Sequence, residues 1–326
     1  MNTEYIDHDR RLDLISLGVV AADGREFYAI SDEFDPSHAN DFVQTTVLPQ
    51  LEPVAHPAWM SRRQMKEELL GFVGDTIPRF WSYGSAPWDW LAMAQIFPLE
   101  DRVPDGWRYS AYDVSCLIEL AGLSLDDPHL PPPPANQHHA LVDARWARDA
   151  YQAVVGLKQR PPTAVTDYVV DAEFIELERE IDLVSLALVC EDGREFYAIS
   201  TEFDPVEAND FVRTTVLPLL EPSNSPVWMS RDQIKDALVA FVGDTVPRFW
   251  SWGGTPYDWM VIAQLFPVAD RMPDGWLYTA YDIMLLVERA GLTIDPLDPA
   301  LPPSPTDAHH ALADARWATE VLRAVR

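Results

Sequence analysis

The chain has few cysteines and no long apolar run, and each shortage excludes a class of protein. Only 2 of its 326 residues are cysteines, and Cys116 and Cys190 fall at unrelated positions of an internal repeat. We therefore expect two free thiols in a reducing cytoplasm rather than a disulfide framework. No apolar run approaches the ~20 residues of a membrane-spanning helix, and the chain opens with no charged-then-apolar leader, so we expect neither secretion nor membrane insertion.

Positive charge is also scarce. The chain carries 24 Lys and Arg against 52 Asp and Glu, which gives a formal net charge of −28. Such a chain is poorly suited to coat nucleic acid independently of sequence, because phosphate binding needs basic side chains. A nuclease is still allowed, because divalent cations bound at a site supply positive charge locally.

The sequence consists of two copies of an internal repeat. The copies share DGREFYAIS at 23–31 and 192–200, EFDP at 33–36 and 202–205, TTVLP at 45–49 and 214–218, and PDGW at 104–107 and 273–276. The offset is 169 residues up to about Gly122 and Gly291, and it is 171 residues at DARWA, 143–147 and 314–318. Each copy has the size of one ordinary domain. We predict a first copy at 1–156, a linker at 157–166 and a second copy at 167–326.

The order of elements in each copy favours an α/β domain over a helical bundle. In the second copy, strands are expected at 168–174, 181–190 and 195–200, and Asp192-Gly193 between the last two is a strong hairpin signal. A buried strand at 248–252 follows. Helices are expected at 206–216, 232–242, 256–266, 281–290 and 311–326. Each copy is therefore predicted to be a mixed sheet flanked by helices.

Carboxylates and one histidine in three segments of the second copy carry the chemistry. Asp171 and Glu173 lie two apart on a strand, so their side chains leave the same face. Asp258 opens a helix after a Trp-rich strand, and His309 stands five residues before Asp314. Each alone has an ordinary structural explanation, such as a solvated strand edge or a helix N-terminal charge. Together they suit a two-cation phosphoryl-transfer site with a histidine base.

This pattern resembles the DEDDh 3′–5′ exonucleases of the ribonuclease H-like superfamily. The surrounding sequence is most similar to the actinobacterial polyadenylate-specific 3′-exoribonuclease AS group. The segments that carry this similarity include IDLVSLALVCEDGREFYAIS, WSWGGTPYDW and HHALADAR. The resemblance covers nearly all of each copy and implies two tandem ribonuclease H-like domains. It also implies that single-stranded RNA 3′ ends, with adenylate-rich ends favoured, are hydrolysed to nucleoside monophosphates.

The resemblance assigns roles by matched position. Asp171, Glu173, Asp258 and Asp314 are expected to bind two Mg²⁺ or Mn²⁺, and His309 is expected to be the general base. His310 stands one residue too close to Asp314 for that spacing. Members of the group are homodimers, so two copies in one chain imply an intramolecular pseudo-dimer that is monomeric as a chain.

The first copy departs from the pattern at its first position. Glu4, Asp89, His138 and Asp143 match the second copy, but Asn2 replaces the leading aspartate. The leading aspartate of the family bridges both cations, so the amide removes a charge where two dications would meet. We expect a degenerate first site on a short first strand, with activity in the second copy. A start upstream of Met1 would leave Asn2 in place. Added activity in an Asn2→Asp variant would show that the first copy lacks only this carboxylate.

Aromatic and basic residues near Asp258 are candidates for RNA contacts. Trp252 and Tyr257 are predicted to stack on bases, whereas Trp250 and Trp259 are more typical of the core. Candidate phosphate contacts, for which a structural role is at least as well supported, are Arg248, Arg271 and Arg316, with counterparts Arg79, Arg102 and Arg145.

Two other functions remain open on the sequence alone. The same catalytic set could act on DNA or short oligonucleotide 3′ ends, because no residue identifies a contact to a ribose 2′-hydroxyl. A silent RNA-binding scaffold is the other alternative, although the complete five-residue set of the second copy argues against it.

Overall fold

The computed structural model describes residues 1–8, 11–97, 103–157, 165–177, 180–266, 272–294 and 297–326. The chain divides into two compact units, with the main division between Pro162 and Thr163. The predicted linker 157–166 spans this point, but its residues 158–164 lie outside the described part. The assignment of different roles to 1–156 and 167–326 stays a prediction. Within the described residues, no helix is long and apolar enough to cross a membrane.

The first unit contains six strands and four α-helices in the described part. In chain order they are β1 (Asn2–His8), β2 (Arg11–Val20), β3 (Glu26–Ser31), β4 (Trp59–Met60), α1 (Arg62–Val73), β5 (Phe80–Ser82), α2 (Ala86–Ala94), β6 (Ala111–Asp113), α3 (Val114–Leu120) and α4 (Ala140–Val154).

The second unit repeats this order of elements. They are β7 (Thr166–Glu176), β8 (Ile181–Cys190), β9 (Glu195–Ser200), β10 (Trp228–Met229), α5 (Arg231–Val242), β11 (Pro247–Ser251), α6 (Thr255–Ala263), β12 (Tyr281–Asp282), α7 (Ile283–Arg289) and α8 (Ala311–Val325).

One six-stranded mixed sheet organises the second unit, in the order β10-β9-β8-β7-β11-β12. β8 is antiparallel to both neighbours, and the other pairs are parallel. α8 packs on β8 through alanines, with Ala311 and Ala315 against Ala187 and Val189. Small side chains allow this close approach, and it brings the start of α8 near the centre of the sheet. The predicted mixed α/β fold is confirmed.

The sheet of the first unit is divided in two. β1-β2-β3-β4 form one sheet, and β5-β6 form a separate pair. In the second unit the first strand joins β11 through residues 166–169, whereas the described residues of the first unit show no pairing of β1 with β5. β1 has 7 residues and β7 has 11.

Sequence signals for turns predicted the structure better than those for one of the helices. Gly193 has φ 90° in the β8–β9 turn, the left-handed conformation that the Asp-Gly signal requires. The predicted helix over 206–216 is wrong in its first part, because the Asn209 side chain caps the backbone N–H of Val212 at 2.9 Å and a π-helix spans only Val212–Val216. Neither Cys116 nor Cys190 forms a disulfide bond, and both are buried.

Candidate active site

Strand β7 carries two of the five predicted site residues. Asp171 pairs across the sheet with Ala187 and Glu173 with Ser185, and the register shifts just after Glu173. Such a bulge bends the strand and re-aims neighbouring side chains. Burial raises the pKa of both carboxyl groups, and the nearby carboxylates raise it further. The pKa of Glu173 reaches about 8, so a negative charge at this point is poorly tolerated without a cation.

Asp258 lies in the first turn of α6 and is only 3% exposed. Its Oδ1 accepts a hydrogen bond from the backbone N–H of Ala172 at 3.0 Å, and its Oδ2 accepts one from the Ser251 hydroxyl. These bonds tie α6 to β7 and to the end of β11. Burial raises the pKa of Asp258 to about 7, although the two hydrogen bonds oppose the rise.

The loop before α8 supplies His309 and Asp314. His309 has φ 71°, a left-handed conformation that is costly for a residue with a side chain. Its backbone N–H donates to Asp314 Oδ2 at 2.6 Å, and the N–H of Asp314 donates to His310 O at 3.0 Å. The turn therefore fixes the histidine and the carboxylate with respect to each other.

These segments meet. Ligand atoms of Glu173, His309 and Asp314 lie within 4.8 Å of one another. Asp171, beside Glu173 on β7, is affected electrostatically by Asp258, Glu173 and Asp314, which together with burial raise its pKa far above the ordinary value. The fold thus brings together all four predicted carboxylates and His309, and it separates His310, whose ring stacks on Tyr197 at 5.0 Å.

The donor set fits a hard divalent cation. It consists of carboxylate oxygens, the ligands of Mg²⁺ and of the cations that share its sites. Burial raises the pKa of Asp171, Glu173, Asp258 and Asp314, and repulsion from neighbouring carboxylates raises it further. A bound dication would remove both penalties.

The aromatic candidates divide differently from the prediction. Trp252 is half-buried and meets Trp317 edge-on at 4.8 Å. Tyr257 is only 6% exposed, stacks on Phe174 at 5.1 Å, and donates from its hydroxyl to Glu176 at 3.3 Å. One face of its ring is therefore covered, which disfavours base stacking by Tyr257.

Phe211 is an aromatic residue that the sequence reasoning missed. It is 49% exposed, and its ring meets that of His309 edge-on at 4.9 Å. It lies immediately before the π-helix Val212–Val216, and π-bulges concentrate at functional sites. This π-helix is a property of the structure, so the sequence offered no signal for Phe211.

The candidate phosphate contacts have partners in the protein. Arg248 forms a buried bidentate pair with Asp167, at 2.6 and 3.0 Å. Arg316 forms an exposed pair with Glu195, at 2.7 and 2.6 Å. Both arginines thus have structural roles, and Arg102 and Arg271 lie outside the described residues.

The first copy keeps part of this arrangement. Ligand atoms of Glu4, His138 and Asp143 lie within 4.8 Å of one another, and His138 repeats the left-handed turn with φ 66°. Its backbone N–H donates to Asp143 Oδ2 at 2.7 Å. Burial first, and then Asp143 and Asp89, raise the pKa of Glu4 to about 9. The Oδ1 atom of Asn2 is buried without a hydrogen bond.

Asp89 of the first copy is engaged by hydroxyl groups that the second copy lacks. Its Oδ1 accepts from the backbone N–H and the hydroxyl of Thr3, both at 2.7 Å. Its Oδ2 accepts from Ser85 at 2.9 Å and from Ser82. Thr3 and Ser85 replace Ala172 and Gly254 of the second copy, and sequence reasoning missed both replacements. Comparing the copies around each aspartate would have revealed them.

Comparisons with known proteins point to one family. The family model described as the 3′-5′ exoribonuclease Rv2179c-like domain matches residues 166–326. The chain is 41% identical over 152 residues to the 3′-5′ exoribonuclease Rv2179c of Mycobacterium tuberculosis strain H37Rv, covering 46% of this chain and 86% of that protein. The 3′-5′ exoribonuclease MT2234.1 of strain CDC 1551 gives the same figures.

Solved structures of exonuclease I are also similar. A zinc-bound complex of Escherichia coli exonuclease I with single-stranded DNA has a TM-score of 0.35 and 11% identity, over 48% of this chain and 39% of that chain. Exonuclease I from Methylocaldum szegediense has a TM-score of 0.35 and 15% identity, over 48% and 40%. This similarity is too low to carry a functional argument. The family match and the curated relatives are sufficient: the chain belongs to the Rv2179c-like 3′-5′ exoribonuclease family and is a hydrolytic 3′-5′ exonuclease.

Proposed function

We propose that this exonuclease removes nucleotides from the 3′ ends of single-stranded RNA and releases nucleoside monophosphates, with its activity in the second copy. The observation that carries the proposal is the convergence of Glu173, His309 and Asp314 within 4.8 Å, beside Asp171 and Asp258. The names of the curated relatives support RNA as the substrate, and the resemblance to the polyadenylate-specific 3′-exoribonuclease AS group supports adenylate-rich ends.

In this proposal Asp171, Glu173, Asp258 and Asp314 hold two divalent cations, Mg²⁺ or Mn²⁺. When bound, two such ions supply the charge that stabilises the attacking and the leaving oxygen of an in-line displacement. The protein contributes the positioning. The hydrogen bonds of Asp258 to Ala172 and Ser251 fix one carboxylate, and the hydrogen bond from the N–H of His309 fixes Asp314.

His309 acts as the general base. Its side chain is exposed beside the half-buried carboxylates of Glu173 and Asp314, so water can reach it. An imidazole nitrogen accepts the proton of the attacking water, and the water oxygen then forms the bond to phosphorus while the bond to the upstream 3′ oxygen breaks. The strained backbone of His309 holds the ring at the mouth of the site, where Phe211 packs against it.

We also propose that the two copies act as a covalent counterpart of a homodimer, so that the chain works as a monomer. The repeated order of elements in the two units supports this. The measurement is the mass in solution by light scattering, which should equal that of one chain, 36.8 kDa. A mass of two chains would contradict it.

The experiment that tests the function is digestion of 5′-labelled 20-nucleotide oligo(A), mixed-sequence RNA and DNA of equal length, with Mg²⁺ or Mn²⁺. We expect ladders that shorten from the 3′ end and release monophosphates, fastest on oligo(A). The variant Asp171→Asn, which copies the natural Asn2, should lower turnover by at least about 100-fold. Faster digestion of DNA than RNA, or full activity in Asp171→Asn, would contradict the proposal.

A further inference from the structure

We propose that the degenerate site of the first copy is a nucleotide-binding site. It takes one divalent cation and, through that cation, the phosphate of a nucleoside 5′-monophosphate, which it holds without hydrolysis. This inference rests on the proposed function, because its ligand is the product released by the second copy.

The first observation is a cavity in the first unit. It has a volume of about 480 Å³, within the ~300–1,000 Å³ range of small-molecule sites. Aromatic residues line one part of it, and the site residues Asn2, Glu4, His138 and Asp143 line another. A cavity with apolar walls and a few converging polar groups is the usual form of a binding site for a small organic ligand.

The second observation is an unsatisfied polar group facing this cavity. Glu4 is 8% exposed, and its carboxyl group accepts no hydrogen bond from any residue in the described part of the chain. The buried Oδ1 of Asn2 also lacks a donor. Leaving such atoms unpaired is costly, and native proteins avoid it unless a water, an ion or a ligand completes them.

The geometry points to one cation rather than two. The two oxygens of Asp89 already accept four hydrogen bonds, from Thr3, Ser82 and Ser85. Asn2 brings no charge. The oxygens of Glu4 and Asp143 and an imidazole nitrogen of His138 lie within 4.8 Å of one another. They remain as ligands, and they are sufficient for a single dication with water and phosphate in its other positions.

One cation binds a phosphate but does not complete the catalytic clamp. In-line displacement at a two-cation site needs one ion at the attacking oxygen and one at the leaving oxygen. The first copy lacks the charge to hold the second ion, so a nucleotide bound there is retained intact.

The apolar part of the cavity suits a base. Phe42 is 50% exposed and meets the ring of His138 edge-on at 4.9 Å. Tyr83 and Trp146 are half-buried and in edge contact at 4.2 Å. All three line the cavity, and stacking of one base on an aromatic side chain contributes ~1–3 kcal/mol. A nucleotide therefore satisfies both parts of the cavity, whereas a bare phosphate satisfies only one.

The test uses the full chain with its second site disabled by Asp171→Asn, Glu173→Gln and Asp314→Asn. We expect this background to bind one Mn²⁺ per chain, counted by electron paramagnetic resonance of the free ion, and to bind adenosine 5′-monophosphate in equilibrium dialysis only when Mn²⁺ is present. Adding Glu4→Gln should abolish both. Adding Asp75→Asn, an exposed carboxylate outside the cavity, should change neither.

A second variant separates loss of nucleotide binding from misfolding of the first unit. Adding Phe42→Ala to the same background should weaken binding of the monophosphate by at least about fivefold, the lower limit for one stacked base, and leave Mn²⁺ bound. No Mn²⁺ in the background, or the same Mn²⁺ and monophosphate binding in Glu4→Gln, would overturn the inference. RNA digestion by the unmodified chain is measured separately. If the unmodified chain digests RNA but the background variant binds no Mn²⁺, only this inference is contradicted. If the background variant binds Mn²⁺ but the unmodified chain digests no RNA, only the proposed function is contradicted.

Discussion

Each copy has a buried aspartate at the start of a helix, and the two aspartates differ in how many hydrogen bonds they accept. Asp258 accepts hydrogen bonds from Ala172 and Ser251 and keeps oxygen lone pairs free. Asp89 accepts four hydrogen bonds, two of them from the hydroxyls of Thr3 and Ser85, which the second copy lacks. Burial raises the pKa of Asp258 to about 7 and that of Asp89 to about 6, in keeping with the additional donors of Asp89.

The difference indicates how one aspartate can be withdrawn from cation binding without unfolding the domain. A buried carboxylate that loses its cation needs replacement partners, because an uncompensated charge in the interior is costly. At Asp89, hydroxyl groups now stand where the second copy has small apolar residues. The left-handed turn at His138 and its hydrogen bond to Asp143 are present in the first copy too. The backbone geometry of the site is therefore retained despite the proposed loss of activity.

The largest contrast is expected between two adjacent histidines. His309→Ala should lower the turnover number by ~10²–10⁴-fold, the usual contribution of a general base. His310→Phe should have a much smaller effect, because the ring of His310 stacks on Tyr197 and a phenyl ring can do the same. The measurement is single-turnover digestion of oligo(A) RNA. Comparable losses in the two variants would assign no special role to His309.

Substitution of the equivalent aspartates Asp258 and Asp89 should affect different properties, activity in one case and stability in the other. Asp258→Asn should reduce turnover by ~10²–10³-fold, as for other groups that stabilise a transition state electrostatically. Asp89→Asn should instead destabilise the first unit by ~1–3 kcal/mol, because an amide nitrogen cannot accept from Ser82 and Ser85 and leaves a buried hydroxyl unpaired. Activity and urea unfolding are measured on both. Loss of activity without loss of stability in Asp89→Asn would contradict the contrast.

Restoring the first copy should need more than its missing carboxylate. With the second site disabled by Asp171→Asn, the single change Asn2→Asp leaves Asp89 occupied by hydroxyls. Adding Thr3→Ala and Ser85→Gly frees those lone pairs. Since a hydrogen bond to a charged group is worth ~1.5–3 kcal/mol, we expect the triple variant to exceed the single variant in turnover by at least about tenfold. Equal activity in the two would show that the hydroxyls are irrelevant.

The sequence was most informative where structure is local or repeated. Asp192-Gly193 specified its hairpin through the left-handed glycine, and the Asp-x-Glu pattern placed two carboxylates on one face of a strand. The two-residue strands β10 and β12 were missed, because they are too short to show a period. Thr3 was missed as a partner of Asp89, because the two are 86 residues apart in sequence and their contact depends on how β1 packs on α2.

A buried ion pair at the beginning of β7 predicts that acid destabilises the second unit. In the second copy burial disfavours the charge of Asp167, but hydrogen bonds from Arg248, Arg326 and Trp250 outweigh it and hold its pKa at about 2. The unfolded value is about 3.9. Charged Asp167 therefore stabilises the folded state above about pH 4, and that stabilisation is lost as the pH falls towards 2. We expect the free energy of unfolding of the second unit, followed by urea titration at each pH, to fall more steeply over this interval in the unmodified chain than in Asp167→Asn, while the first unit responds equally in both. Parallel profiles for the second unit in the two proteins would rule out this buried ion pair as the source of the acid destabilisation.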